Sequence, residues 1–339
     1  NRESFWKRIE PFITTMKLRA SWGQLGNQNI SPYTDLELVP LTTSKVNWIF
    51  NYGSTRPTGY TSAPSIVNRN LTWETATTTN VGADMSFLDN RLKLTGDWFE
   101  RRTTDMVGPS IAKPGVLGTS VPKSNNSTLR TRGWEVSLGW KQTLNNGLNY
   151  NIDLSLYDYN SVVTKYFNPT GTLSTWYEGS KVGDIWGYTV NDLFRTKEDL
   201  DSYLSKVDMS FIAKNWNTGD LKYEDTNHDG KVNNGKNTIN DHGDMKVIGN
   251  DQPHYQYTIN AGLSYKGFDF AMLWKGVAKK DMYFYRMSNI FWGFTNGWWE
   301  SCLTPRNLDY FRDKPGTKYS GLYEGNENIN TTAYWPRPY

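Results

Sequence analysis

The chain has 339 residues, with 37 lysines and arginines against 34 aspartates and glutamates, a formal net charge of +3, and 21 Tyr, 15 Trp, 14 Phe and 29 Gly. Its basic residues are scattered among acidic ones, which excludes a basic stripe for nucleic acid, and the aromatic, turn-rich mixture favours strands over helices. Cys302 is the only cysteine and His228, His242 and His254 the only histidines, so a disulfide framework and a thiolate cluster are excluded, and a multi-histidine zinc centre or a Ser/His/Asp triad is hard to assemble.

No run of about eighteen apolar residues occurs, which excludes a helical membrane span. The opening, "NRESFWKRIEPFITTMKLRASWG", enters a strand-like pattern without a leader and reads as the middle of a longer protein. A first strand lies near Met16 to Gly23. Val81, Ala83, Met85 and Phe87 then alternate with polar or small residues, and after a turn at Asp89-Asn90 the apolar face continues through Leu92, Leu94, Gly96 and Trp98. Trp134, Val136, Leu138 and Trp140 repeat the pattern, "LNNG" turns the chain, and Tyr150, Ile152, Leu154 and Leu156 return. A long segment follows. It holds "KEDLDSYLSKV" (197–207), whose Leu200, Tyr203 and Leu204 share a helix face, and "GDLKYEDTNHDGKV" (219–232). Tyr255, Tyr257, Ile259, Ala261, Leu263 and Tyr265 pass through "KG" to Phe268, Phe270, Met272 and Trp274, a third hairpin. Beyond it stands the aromatic cluster "NIFWGFTNGWWE".

The connections within pairs are two to four residues long, whereas those between pairs run to roughly 30, 90 and more than 60 residues. A sandwich has no reason to place every long connection at one end. An outer-membrane barrel does, with short periplasmic turns, long extracellular loops and aromatic girdles such as Trp98, Trp140, Tyr255, Tyr265 and Trp274 would form.

At these residues the chain resembles the SusC/RagA-type TonB-dependent transporters. "LRASWGQLGNQNISPY", "NLTWETATTTNVGADMSFLDNRLKLTGDWFERRTTDMV", "EGSKVGDIWGYTVNDLF", "GDLKYEDTNHDGKV", "VIGNDQPHYQYTINAGLSYKGFDFAMLWKGV" and "AYWPRPY" look like successive family blocks in family order. The resemblance implies an all-β fold: part of a transmembrane antiparallel β-barrel, similar to transporters of about 22 strands with a plugged lumen. Residues 1–339 would be the C-terminal half of one barrel without its plug, with long extracellular loop regions at 162–254 and 275–339. It further implies an importer of glycans or oligopeptides in the outer-membrane lipid, not an enzyme, with a SusD-like lipoprotein lid, a TonB complex as energy source and a homodimer of the transporter and lid pair.

Asp225, Asn227, Asp229 and Gly230 form D-x-N-x-D-G, the first half of a calcium loop, in which alternate side chains supply hard oxygen ligands and the glycine permits the turn. Lys231 at the seventh position offers its carbonyl. Lys236 at the twelfth cannot replace a bidentate carboxylate, so the loop is not a strict EF-hand. The family places an acidic residue just before the following strand, which implies Asp244 as a further calcium ligand, with Asp241 in reserve. A metal-free polar turn is the alternative. Any cation here would be structural, since no helix pair stands ready to open. Trp176, Trp186, Trp216, Trp292, Trp298 and Trp299 are candidate substrate or partner contacts, since flat rings beside amides suit sugars. They pack loops in the competing reading. A soluble or surface calcium-dependent carbohydrate-binding β-protein is the alternative function. A hydrolase using Glu178 and Asp184 is a third, but neither carboxylate has a context that singles it out.

Overall fold

The computed structural model describes residues 12–28, 36–39, 41–42, 60–61, 64, 66–110, 116, 121–282, 309–314 and 329–337. In chain order the elements are β1 (Ile13–Asn27), β2 (Leu41–Thr42), β3 (Tyr60–Thr61), β4 (Glu74–Phe87), β5 (Leu92–Gly108), β6 (Ser124–Thr143), β7 (Asn149–Lys165), β8 (Asp184–Gly187), β9 (Val190–Leu193), α1 (Lys197–Leu204), β10 (Leu221–Tyr223), β11 (Lys246–Asn250), β12 (His254–Tyr265) and β13 (Phe268–Lys279). They divide between a sheet unit (Asn1–Pro169, Trp176–Val182, Pro253–Lys279) and a loop unit (Thr170–Thr175, Gly183–Gln252, Lys280–Tyr339).

The sheet unit is a 7-stranded antiparallel sheet in the order β1-β4-β5-β6-β7-β12-β13. Its register follows from the alternation. Met16, Met85, Leu94, Leu138, Leu154, Ile259 and Trp274 stand side by side across all seven strands. One residue along, the opposite face carries Lys17, Asp84, Thr95, Ser137, Ser155, Thr258 and Lys275 in the same manner. A shift by one residue would exchange the two sets, so every strand has the same reason to hold this pairing. Val136, Leu138, Ile152 and Leu154 remain 41%, 37%, 41% and 38% exposed, and among the described residues no second sheet covers them. An uncovered apolar face of this extent belongs to a membrane wall rather than to half a sandwich core.

The strands outrun their apolar stretches. β6 has 20 residues, about twice what a tilted strand needs to cross a bilayer. β7 continues to Lys165 and β13 to Lys279, past the expected loop starts at 162 and 275. The added residues pair in register, as in Arg130 with Val162, yet without a one-sided apolar pattern. The start of β4, "ETATTTN", behaves likewise: threonine suits a strand, but it is polar on both faces and gives no period.

The loop unit has its own cores. Helix α1 starts where the Thr196 side chain accepts from the Asp199 N–H, and its expected apolar face is the packed one. Leu200 is buried with Phe194, Val207, Met209 and Val232, and Tyr203 and Leu204 pack against that cluster. The helix stops at Leu204 rather than Val207, and beyond it the Lys206 and Val207 N–H groups both turn back to the Tyr203 carbonyl. A second cluster joins Leu193 to Phe311 and Ala333.

Candidate functional site

On the polar face the best-defined site is an ion-pair cluster crossing three strands. Arg19 on β1 donates from Nε to Asp84 Oδ2 at 2.8 Å and from Nη2 to Asp97 Oδ2 at 2.8 Å. Reaching Asp97 on β5 requires passing over β4, and the residue crossed is Gly82. A Cβ there would lie 2.2 Å from Asp97 Oδ1, so the glycine is needed for the approach. The Thr95 hydroxyl adds a donor to Asp84 at 3.2 Å, and the Tyr157 hydroxyl donates to Gln256 Oε1 at 2.7 Å. Asp97 Oδ1 is buried with no hydrogen-bond partner among the described residues. Nearer the short turns the same face forms a trough lined by Lys93, Lys141, Asn151, Asp153, Ser264 and Asp269. These groups offer hydrogen bonds and charge of both signs, which suits passage or binding of polar solutes.

The acidic turn lies in the loop unit. Asp225 accepts the Asp229 N–H through Oδ1 at 3.2 Å and the Gly230 N–H through Oδ2 at 2.9 Å. Asn227 Oδ1 accepts the Asp229 N–H at 3.0 Å, and Asp229 Oδ1 the Lys231 N–H at 2.9 Å. Gly230 has φ +81°, in the left-handed region. Asp244, fully buried, closes the turn from the other side: its oxygens accept the Thr226 N–H at 2.8 Å and the Asn233 N–H at 2.8 Å. The stretch between Asn233 and Asp244 makes its own turn and returns through the Asp244 N–H to the Asn233 carbonyl. Among the described residues no group of three or more His, Cys, Asp and Glu is arranged to hold a metal. The donor set that meets here is oxygen only, and an oxygen that accepts one N–H retains a second lone pair.

Neighbouring carboxylates are held ionised. Glu224 lies below the usual range because it accepts from the Thr189 hydroxyl, with Lys246 adding a smaller pull. Asp208 is lowered by its hydrogen bonds from Ser210, hydroxyl and backbone N–H alike. Burial raises the Tyr203 and Tyr188 phenols.

Residues 6–297 match the family described as TonB dependent receptor-like, beta-barrel. The chain belongs to that family. Among curated relatives it is 27% identical over 301 residues to a TonB-dependent receptor of Formosa agariphila, covering 85% of this chain and 28% of the relative. It is 23% identical over 341 residues to the TonB-dependent receptor SusC of Bacteroides thetaiotaomicron, covering 98% and 29%. A solved structure of the RagAB peptide transporter shares the fold at a TM-score of 0.54 and 19% identity, covering 81% of this chain and 27% of that one. The chain thus spans less than a third of the curated relatives it matches. As a member of this family it is a segment of an outer-membrane β-barrel, its apolar face towards lipid and its polar face towards the lumen.

In this TonB-dependent receptor segment the candidate tryptophans are spread out. Trp176 belongs to the sheet unit, 38% exposed, with its ring edge-on to Tyr166 at 5.9 Å. Trp186 on β8 tilts over His242 at 5.3 Å. Trp216 packs between Phe194 and Tyr223 and donates from Nε1 to the Ala213 carbonyl, so it serves the loop unit's core. Trp292, Trp298, Trp299 and Cys302 lie outside the described residues. Sequence reading missed two pairings. The Arg337 guanidinium donates through Nε and Nη2 to the fully buried Asp220, and His254 Nδ1 lies 2.7 Å from Asp158 Oδ1. Neither has a local motif; the block "AYWPRPY" was the only pointer to Arg337.

Proposed function

We propose that this chain supplies wall and surface loops of an outer-membrane importer for glycans or oligopeptides, working with a SusD-like lipoprotein lid and energised through TonB. The observation that carries the reading is the two-faced register, with an unbroken apolar row facing lipid and a row of charged, hydroxyl and amide groups facing the lumen. The family match and the likeness to SusC and RagAB support import as the general activity. The segments 162–254 and 275–339 are the loops proposed to meet the lid, and the transporter and lid pair is proposed to dimerise. The protein's part is binding and passage, not catalysis.

The reading includes a structural calcium ion bound by Asp225, Asn227, Asp229 and the Lys231 carbonyl, with Asp244 as a further ligand or as the residue that shapes the turn. The oxygen-only donor set and the left-handed Gly230 support it. Trp176, Trp186, Trp292, Trp298 and Trp299 remain candidate contacts to cargo or lid.

Purification of the whole transporter from native membranes in mild detergent tests the proposal. A stoichiometric surface lipoprotein should accompany it, and cells lacking the gene should lose uptake of one class of labelled oligosaccharide or oligopeptide. Recovery without a lipoprotein, together with uptake unaffected by loss of TonB, would reject it. The alternative, a soluble carbohydrate-binding β-protein, requires release from membranes by an alkaline wash.

A further inference from the structure

On the lumenal face, two exposed charges outside the Arg19 cluster lack a counter-charge. Glu135 on β6 stands directly between Asp97 on β5 and Tyr157 on β7. Both neighbours are committed elsewhere: Asp97 Oδ2 accepts from Arg19, and the Tyr157 hydroxyl donates to Gln256. Like charges directly opposite across an antiparallel pair are destabilising, so Asp97 makes Glu135 a place for a cation. Farther towards the long connections on the same face, Arg101 on β5 stands between Thr78 on β4 and Thr131 on β6, and Thr131 shares its hydroxyl contact with Ser161. Among the described residues neither Glu135 nor Arg101 forms an ion pair. Between the two levels runs the row Phe99, Gly133 and Tyr159. The Phe99 ring lies across Gly133, where an added Cβ would stand 2.5 Å from Phe99 Cζ.

A cation, an aromatic floor and an anion therefore follow one another down the outer part of the lumenal wall. Thr131, the partner of Arg101, is four residues from Glu135 on the same strand, so the two charges are carried on backbone about 14 Å apart at about 3.4 Å per residue. An extended peptide of about four residues spans that distance. Its terminal charges are opposite to those of the wall, whereas a neutral sugar chain offers neither group a counter-charge. We propose that Arg101, Phe99 and Glu135 form a subsite for a zwitterionic oligopeptide. Arg101 donates to the terminal carboxylate, Glu135 accepts from the terminal ammonium, and Phe99 carries an apolar side chain between them. Gly133 is needed because any side chain there would displace the Phe99 ring. The cargo is thereby oriented with its amino end towards the short turns. The inference deepens the import reading above and rests on it.

The test titrates the full-length transporter in detergent with a tetrapeptide of neutral side chains, apolar in the middle, in its free, N-acetylated and C-amidated forms, and with a neutral tetrasaccharide. At about tenfold per charge-assisted contact, the parent protein should bind each capped peptide about tenfold more weakly than the free one. Glu135→Gln should abolish the discrimination against the acetylated peptide and keep that against the amide, and Arg101→Gln should do the reverse. Glu135→Asp and Arg101→Lys keep the charges and should retain both preferences, which separates loss of the site from loss of fold. Equal binding of free and capped peptides by the parent, preferences unchanged in the glutamine variants, or tighter binding of the tetrasaccharide than of the free peptide would each overturn the proposal. Uptake by cells is scored separately. TonB-dependent uptake of a labelled oligosaccharide without peptide discrimination would reject the subsite and leave import standing, whereas discrimination without TonB-dependent uptake would reject the import reading and leave the subsite.

Discussion

Replacing Leu138 with arginine places a charge where the structure puts lipid. Leu138 sits in the apolar row between Leu94 and Leu154, between the outer belt residue Trp134 and Trp140 on its own strand. At about 3.4 Å per residue the span from Trp134 to Trp140 is about 20 Å along the strand, and Leu138 lies roughly 3 Å from its centre. A charge at the midplane of an outer-membrane barrel costs about 2 to 4 kcal/mol. The control is Ser137→Arg. That side chain faces the lumen, where water reaches it, and the change loses the hydroxyl contact to Ser155 at 2.9 Å, a net of about 1 kcal/mol. Guanidinium unfolding of the full-length protein in phospholipid vesicles, followed by tryptophan fluorescence, should separate the two variants by about 1 to 3 kcal/mol. If Leu138→Arg proved no more costly than Ser137→Arg, the assignment of faces would be refuted, and with it the membrane reading of every strand that shares the register.

Gly82→Val should cost about 1 to 3 kcal/mol in the same assay by forcing Arg19 and Asp97 apart, whereas Gly96→Ala, with open space around its Cβ, should stay within about 0.5 kcal/mol. Arg337→Ala strands the buried Asp220 carboxylate and should weaken the loop unit by about 3 kcal/mol, read as faster hydrogen exchange over 190–223 with the sheet strands unchanged. Acid should act on the same unit: Asp192, Asp208 and Glu224 have lowered pKa values, so their contribution is complete above the ordinary carboxylate values of 3.8 and 4.5 and is lost as pH falls below them. Thermal unfolding of the loop unit should therefore move to lower temperature below about pH 4, and a midpoint insensitive to pH there would contradict the assignment. Chelation and Asp229→Ala should each speed hydrogen exchange across 219–249 if calcium orders the turn, and identical rates with and without chelator would leave a polar turn.

Much of the sheet was legible in the sequence because one force acts on every strand. Lipid accepts only apolar side chains, the pleat puts them at every second position, and Leu94, Leu138 and Leu154 repeat that constraint in neighbouring strands. Where lipid no longer acts, the signal disappears, and the threonine run of β4 and the outer half of β6 carry no period that marks them as strand. The helix at 197–204 could be read from its local period. The pairing of Asp220 with Arg337 could not, since 117 residues separate them and an ion pair leaves no periodic trace. The acidic turn was half legible: the spacing of Asp225, Asn227, Asp229 and Gly230 predicts the bend, but the capture of Thr226 and Asn233 N–H groups by Asp244 depends on the excursion between them.

This division has a consequence for where function resides. The register fixes the lumenal side chains because it fixes the lipid-facing ones, so Arg19, Asp84, Asp97 and Ser137 are positioned by residues on the other side of the same strands. A change on the lumenal face can alter selectivity without threatening the wall, as long as it respects close approaches such as that over Gly82. The loop unit has no lipid to organise it. It depends on Phe194, Leu200 and Met209 for apolar burial and on Asp220 and Asp244 for buried polar closure. Each buried carboxylate there is worth more lost than gained, because an unpaired one costs its full desolvation. Binding surfaces carried by this unit can therefore vary freely only at exposed positions, while the few buried polar residues hold the shape on which such a surface is built.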